Sequence, residues 1–223
     1  MTDVRTSLVA AVIPARPEEP FLAEALNSVQ RQPEVADIVV ATHIADSATA
    51  RLAAGHPDSR VRLVISDGPS AGENLNAGIA ATDSDWLAFL DADDYWPVGR
   101  IAAGFRAANA VPGTQLVLGQ QRAMNVDGVL LAEIRPPLLG AALVTREAAN
   151  RIGPFDAEMI SQMRWLLRAR ELGVPTLEST EVLLHRREHS GNLSRLRRGD
   201  LHQAYLRLAR ERAAQHRNAK VNS

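Results

Sequence analysis

The sequence predicts an α/β protein in one domain, with a Rossmann-like parallel sheet in its first half, a mixed sheet in its second half and a C-terminal helix. Three observations support this class. Strand-like and helix-like segments alternate up to residue 95, as in parallel sheets covered by helices. The strand-like segments are short and almost wholly apolar, which is typical of strands buried on both faces. Beyond residue 96 a hairpin pattern surrounds Asp127-Gly128, so the second half departs from that alternation.

The elements of the first half follow from apolar spacing and from signals at their ends. Pro14 closes the first apolar run, and Glu18-Glu19-Pro20 is typical of a first helical turn, where acidic residues and proline are favoured. Leu75, Ile79 and Ala80 mark a weaker helix after a turn-rich loop. The predicted strands cover residues 7–13, 36–41, 61–65 and 86–90, with a short alanine-rich helix over 46–54.

The second half combines helices with further strands. Thr145 is expected to cap a short helix that ends near Gly153-Pro154, and Gly173 and Pro175 stop a later helix. Asp200 is expected to cap the last helix. Helices are predicted over residues 101–110, 160–172 and 200–216, and strands over 115–125, 128–134, 139–144 and 176–184.

Composition excludes several classes of function. A formal net charge of −1 argues against electrostatic binding of nucleic acid. The absence of cysteine excludes disulfides, zinc–thiolate sites and thiol nucleophiles. The sequence contains neither a signal-like N-terminal segment nor an apolar run long enough for a transmembrane helix, so we expect a cytoplasmic protein.

An acidic cluster follows the fourth predicted strand. Asp91 and Asp93 are two positions apart and share a face if the chain stays extended, whereas Asp94 points away. Two adjacent carboxylates repel each other by roughly 1 kcal/mol in water and by more where water is scarce. A divalent cation reverses that interaction, and oxygen ligands suit Mg²⁺ or Mn²⁺. A solvated acidic turn is the alternative, but ligands gather at the carboxyl edge of parallel sheets, which favours a functional site.

The order of these signals resembles the family 2 glycosyltransferases with the nucleotide-sugar-binding GT-A fold. The resemblance extends over about residues 7–195 and implies one domain over 1–223, with a nucleotide-sugar-binding half over 7–95, an acceptor half over 96–195 and a basic C-terminal helix. The matching pieces are Val12-Ile13-Pro14-Ala15, Asn76-Ala77-Gly78-Ile79, Phe89-Leu90-Asp91-Ala92-Asp93-Asp94, Gly153-Pro154-Phe155-Asp156, Arg168 with Gly173, and Arg187-Glu188-His189 with Asn192 and Ser194.

The resemblance implies a donor site for a nucleotide-diphosphate sugar, with a UDP-sugar as the first choice. It implies that Asp93 ligates Mn²⁺ or Mg²⁺, with Asp91 and His189 as further metal ligands. A loop histidine bonded to the backbone is the alternative for His189. The expected donor-binding residues are Pro14, Ala15, Arg16, Thr42, Asn76, Asp91, Ala92 and Asp93, although Asn76 is also expected to organise the helix beside the donor.

Two departures from the family pattern affect base choice and catalysis. The acidic residues usual after the second strand are replaced by Ala41 and Thr42, which weakens or alters recognition of the nucleotide base. The expected general base falls on Ser161 and Gln162, and loss of such a base costs roughly 10²–10⁴ in rate. We therefore keep Gln162 as a candidate catalytic position. Glu158, upstream in the same loop, is the favoured replacement, with Asp94 second, and Asp156 is expected to be structural.

Three functions remain open from the sequence. The leading hypothesis is an inverting glycosyltransferase whose acceptor hydroxyl belongs to a glycan, a lipid-linked compound, a peptide or a small molecule. The second is a catalytically degenerate GT-A module that binds nucleotide-sugar and acts as a partner or regulator. The third is a nucleotidyltransferase, which also uses paired carboxylates and a metal, but Arg16 alone is thin support for it. The oligomeric state stays open.

The aromatic residues and the last helix give further expectations. Trp96 directly follows the acidic cluster and is expected to form a wall for substrate, whereas Trp165 is expected to pack in the core; Met163 is a candidate for the acceptor groove. The last helix carries Leu201, Tyr205 and Leu208 on one face. Its other face is expected to be solvated, with peripheral contact to anionic lipid or to an anionic acceptor as the alternative. The basic residues concerned are Arg195, Arg197, Arg198, Arg207, Arg210, Arg212 and Arg217.

Overall fold

The structure is a computed structural model that describes residues 8–191 and 198–221. Asn192, Ser194, Arg195 and Arg197, which the sequence analysis named, lie outside the described residues. No helix among the described residues is both long and apolar enough to cross a membrane.

A mixed sheet forms the centre of the described part of the chain. Its strands are β1 (Val9–Pro14), β2 (Val35–Thr42), β3 (Val61–Ile65), β4 (Trp86–Phe89), β5 (Leu116–Met124), β6 (Leu130–Arg135), β7 (Ala142–Thr145) and β8 (Thr176–Arg187). Their order is β3-β2-β1-β4-β7-β5-β6, and β8 also pairs with β5. The helices are α1 (Leu22–Gln30), α2 (Ala48–Ala54), α3 (Ala71–Ala80), α4 (Arg100–Ala110), α5 (Arg146–Ile152), α6 (Ser161–Glu171) and α7 (Arg198–Val221).

The first half forms the parallel part of the sheet, as predicted. Strand β1 pairs in parallel with both β2 and β4, and β2 pairs in parallel with β3. Every residue of β1 is buried because helices pack on both faces of the sheet. Gly78 of α3 is needed for that packing, since a Cβ at this position would lie 2.5 Å from Cγ1 of Val12. The carboxyl ends of β1 and β4 therefore lie side by side at one edge.

The second half continues the same sheet with mixed directions. Strand β7 is antiparallel to β4 and to β5, β6 is antiparallel to β5, and β8 is parallel to β5. Several predicted boundaries are wrong, including the start of the first helix, which begins at Leu22 and not at Glu18. The predicted strand over 139–144 begins as a 3₁₀ turn at Leu139–Ala141, and Asp200 lies inside the first turn of α7 instead of capping it. Strand β8 also extends to Arg187, three residues beyond the predicted end, and so carries two arginines to the edge of the sheet.

Trp96 and Trp165 both pack in the core. Trp165 is buried as predicted: its indole Nε1 donates to the carbonyl of Gly153 at 2.9 Å, and its ring stacks on Phe155. The prediction that Trp96 forms a wall for substrate is wrong, because its side chain is fully buried. The indole Nε1 of Trp96 donates a hydrogen bond to the carbonyl of Phe89 at 3.3 Å. This bond connects the segment after the acidic cluster to the end of β4.

Candidate active site

A cleft of about 380 Å³ lies at the carboxyl ends of β1 and β4. It brings together residues from both halves of the chain, as the alternation of strands and helices predicts for the ligand edge of such a sheet. The polar residues that line the cleft are Arg16, Glu19, Asn74, Asp91, Asp93, Asp94, Gln162 and Arg186. Apolar residues on its wall include Pro14, Ala15, Ala92, Leu139, Met163, Leu201 and Tyr205.

The three carboxylates of the acidic cluster occupy one side of this cleft. Burial raises the pKa of Asp91, and the negative charge of Asp93 raises it further, to about 6. The amide Nε2 of Gln162 donates a hydrogen bond to Asp91 Oδ1 at 3.0 Å, and this bond lowers the pKa by a smaller amount. Asp94 is buried and accepts the backbone N–H of Arg187 at 2.8 Å. Burial and the charges of Asp93 and Asp91 raise the pKa of Asp94 well above its usual value. The site therefore concentrates negative charge that favours a bound cation.

His189 lies against Asp93. Its Nε2 is 3.0 Å from Oδ2 of Asp93, and its Nδ1 accepts the backbone N–H of Gly191 at 3.2 Å. The tautomer with its proton on Nε2 satisfies both contacts, because Nδ1 then accepts and Nε2 donates to the carboxylate; ligation of a cation by Nε2 requires the other tautomer. The ring of Phe21 packs against His189, with ring centroids 4.9 Å apart. These contacts fix the position of the histidine at the edge of the acidic cluster.

Two consecutive arginines at the end of β8 have different surroundings. Arg187 is buried and is held by Glu24 at 2.6 Å, by the carbonyl of Val126 at 2.7 Å and by the carbonyl of Asp93 at 3.1 Å. Arg186 lines the cleft, and its positive charge lowers the pKa values of Asp91 and Asp94 against the larger effects that raise them. Sequence reasoning missed Arg186; the signal for it was a second basic residue directly before the Arg-x-His motif.

The predicted donor-binding residues of the first half are placed in two groups. Pro14, Ala15 and Arg16 line the cleft, and Nη2 of Arg16 forms an ion pair with Glu19 at 2.8 Å. Thr42 is fully buried and is not among the residues that line the cleft. In the described part of the chain, its hydroxyl oxygen has no hydrogen-bond partner.

The amide of Asn76 is used by the fold. It donates to the carbonyl of Phe155 and accepts the N–H of the same residue, both at 2.9 Å. This pair of bonds holds the Gly153–Phe155 turn onto α3. Asn74, two residues earlier in α3, is the asparagine that lines the cleft, and its side chain contacts the hydroxyl of Ser66. These bonds agree with the expectation that Asn76 organises the helix beside the donor, and its contact with the donor stays a prediction.

The start of α6 also contributes residues to the cleft. Gln162 and Met163 line the cleft, whereas Ser161 is buried. Glu158 lies outside this cleft, in a second cavity beside α7, and its carboxylate is 3.8 Å from Arg164. Asp156 is structural, as predicted, because it accepts the N–H of Glu158 at 3.0 Å and pairs with Arg164 at 3.1 Å.

A parallel sheet with an acidic cluster at its carboxyl edge, followed by a mixed second half, defines the GT-A class of glycosyltransferase folds. The chain belongs to glycosyl transferase family 2, whose sequence profile matches residues 10–168. The predicted fold class and the family resemblance are thereby confirmed.

Individual relatives agree with this assignment. The succinoglycan biosynthesis protein ExoO of Rhizobium meliloti (strain 1021) is 33% identical over 124 residues, which cover 54% of this chain and 35% of that protein. The chain thus spans about a third of that relative's length. Among solved structures, S. aureus TarS 1-349 in complex with UDP-GlcNAc has a TM-score of 0.67 at 14% identity, covering 83% of this chain and 60% of that one.

A second solved structure, the mannosyltransferase PcManGT from Pyrobaculum calidifontis in complex with GDP-Man and Mn²⁺, has a TM-score of 0.62 at 18% identity. The match covers 83% of this chain and 58% of that one. At these identities the likeness to both structures shows the fold.

Proposed function

We propose that this protein is an inverting glycosyltransferase that moves a sugar from a nucleotide-diphosphate sugar, a UDP-sugar in the first instance, to an acceptor hydroxyl. The observation that carries the proposal is the cleft in which Asp91, Asp93 and Arg186 meet at the carboxyl edge of the sheet. Two proteins of similar fold support it, because TarS forms a complex with UDP-GlcNAc and PcManGT forms one with GDP-Man. As the acceptor oxygen bonds to the anomeric carbon, the bond from that carbon to the diphosphate oxygen breaks, and the hydroxyl proton passes to a base.

A divalent cation is part of the proposal. Among the described residues, no group of three or more His, Asp and Glu side chains is arranged to hold a metal ion. The donor set nevertheless fits Mg²⁺ or Mn²⁺, which bind through one or two protein ligands together with substrate phosphates. Asp93 would hold the ion, with His189 or Asp91 as the second ligand. When bound, the cation would neutralise the charge that develops on the leaving diphosphate.

Arg186 adds a fixed positive charge to the same cleft. Arg186 lines the same cleft as Asp91, Asp93 and Asp94. A planar guanidinium donates paired hydrogen bonds to phosphate oxygens. We therefore propose that Arg186 contacts the donor diphosphate and assists its departure.

The general base is proposed to be Glu158. Gln162 occupies the position where the family has its acid, and its amide is already engaged with Asp91. The amide at this position favours a second candidate function, the degenerate module, because an amide cannot accept the hydroxyl proton at neutral pH. If Glu158, in the loop before α6, supplies the base instead, the protein is an active glycosyltransferase although Gln162 is an amide.

One experiment separates the two functions. The protein is incubated with UDP-sugars and GDP-sugars, with Mn²⁺ or with a chelator, and both donor binding and release of nucleoside diphosphate are measured. Cation-dependent binding with slow hydrolysis or transfer supports the enzyme. Binding without any release supports the degenerate module. If neither the wild-type protein nor the Asp93→Ala variant binds any donor, both functions are refuted.

A further inference from the structure

Helix α7 begins well beyond residue 168, where the match to the family ends, yet it lines two adjacent cavities. Leu201 and Tyr205, one turn apart, line the donor cleft. A neighbouring stripe of the same helix faces a second cavity of about 580 Å³, since residues at i, i+3, i+4 and i+7 share a helix face. The residues of this stripe are Asp200, Gln203, Ala204 and Arg207.

The second cavity lies directly beside the donor cleft. Met159 lines both, and Glu158 lines the second cavity from the loop before α6. A molecule in the second cavity would therefore share the Met159 side chain as a wall with the donor cleft. Its volume lies within the range of about 300–1,000 Å³ that is usual for small-molecule sites.

The side chains around the second cavity suit a sugar ring. Two carboxylates, one amide and one guanidinium offer acceptors and donors for hydroxyl groups, and Met159 and Ala204 offer apolar surface for the C–H groups of a ring. Asp200 and Arg207 carry opposite charges, and Glu158 already pairs with Arg164 at 3.8 Å, so these side chains provide no excess of positive charge. This balance favours a neutral ligand over an anionic one.

We propose that this second cavity, here called the α7 cavity, binds a neutral glycan acceptor and presents its hydroxyl to the donor cleft. The inference rests on the proposed function and specifies its acceptor class. It assigns Gln203 and Arg207 to acceptor binding. It also explains why α7 contributes side chains to both cavities, since acceptor and donor must meet across Met159.

The test compares Gln203→Ala and Arg207→Ala with Arg210→Ala, which removes the same charge from the same helix outside both cavities. The acceptors are cellobiose, lactose and maltose, each as the free sugar and as its octyl glycoside. We expect the acceptor KM to rise about tenfold in the two cavity variants, as for loss of one hydrogen bond to a charged or polar group. The donor KM and the rate of donor hydrolysis should change less than about twofold, and Arg210→Ala should resemble the wild type.

The outcomes separate this inference from the proposed function. A wild-type protein that binds no donor refutes both. A protein that hydrolyses donor but neither glycosylates nor, by calorimetric titration, binds any neutral glycan overturns the α7 cavity alone. Unchanged acceptor KM in both cavity variants, an equal effect of Arg210→Ala, or a preference for uronic acid disaccharides would also overturn it. Activity on the free sugars and on the octyl glycosides alike supports recognition of the sugar ring itself. Activity on one set alone also supports a neutral glycan acceptor and shows whether that glycan is free or carried on an alkyl chain.

Discussion

The two sides of the cleft are held in different ways. On the donor side, Asp94 is buried and bonded to the backbone of Arg187, whose guanidinium is itself buried among carbonyl groups. On the acceptor side, α6 and α7 meet through pairs of partly exposed side chains, such as Arg164 with Glu211 at 3.1 Å. Buried hydrogen bonds to charged groups are expensive to break, whereas exposed ion pairs contribute about 0–1 kcal/mol. The core thus fixes the proposed donor site, whereas the proposed acceptor site depends on weaker contacts.

The largest effect is expected on the donor side. Asp93→Ala removes the carboxylate that would hold the cation, and we expect turnover to fall by about 10²–10³-fold, as for loss of a group that stabilises charge in the transition state. Donor binding should lose its dependence on Mn²⁺. Steady-state kinetics and donor titrations with Mn²⁺ or a chelator measure both effects. Asp127→Ala, in an exposed turn, is the matched control; equal losses in the two variants would contradict a metal role for Asp93.

On the acceptor side, Glu158→Ala tests the proposed base. We expect kcat to fall about a hundredfold, the lower end of the range for general bases, because Glu158 is exposed and lies near Arg164. Donor affinity should stay unchanged, since Glu158 is outside the donor cleft. Glu158→Gln keeps the shape of the side chain and should lose as much activity. Full activity in both variants would mean that the acceptor needs no base from this loop.

The same comparison shows what the sequence could predict. The donor side was largely predictable because an apolar run that ends in Asp91 and Asp93 specifies a buried strand and its edge. The orientation of Arg186 was not, since β8 contains register shifts against β5, and each one-residue shift moves a side chain to the other face. Trp96 follows the acidic cluster in sequence, but its indole turns back to the carbonyl of Phe89. The sequence also predicted the apolar face of α7, but tertiary packing decides which surface this face contacts.

The electrostatic difference between the two sides predicts a pH dependence of stability. The folded-state pKa of Asp91 is raised from 3.8 to about 6, so the folded protein holds this proton more tightly than the unfolded chain. Stability from Asp91 is therefore greatest below pH 4 and declines as pH rises to about 6. In the Asp91→Asn variant the free energy of unfolding should lack this decline, which amounts to about 2 kcal/mol between pH 4 and pH 7. Urea unfolding of both proteins between pH 4 and pH 7, with chelator present, measures it; parallel curves for the two proteins would contradict the assignment.

The smallest effect on stability, with a distinct local effect, is expected for α7. Glu211→Ala removes the ion pair to Arg164 but leaves the pair between Arg212 and Glu171. Because both carboxylates are about half exposed, we expect the free energy of unfolding to change by no more than about 0.5 kcal/mol. Hydrogen exchange in α7 should nevertheless become faster than in β1, since a helix attached by exposed contacts opens locally before the core does. Exchange that rises equally in both elements would show that α7 unfolds together with the sheet, and the acceptor side would then be as firmly held as the donor side.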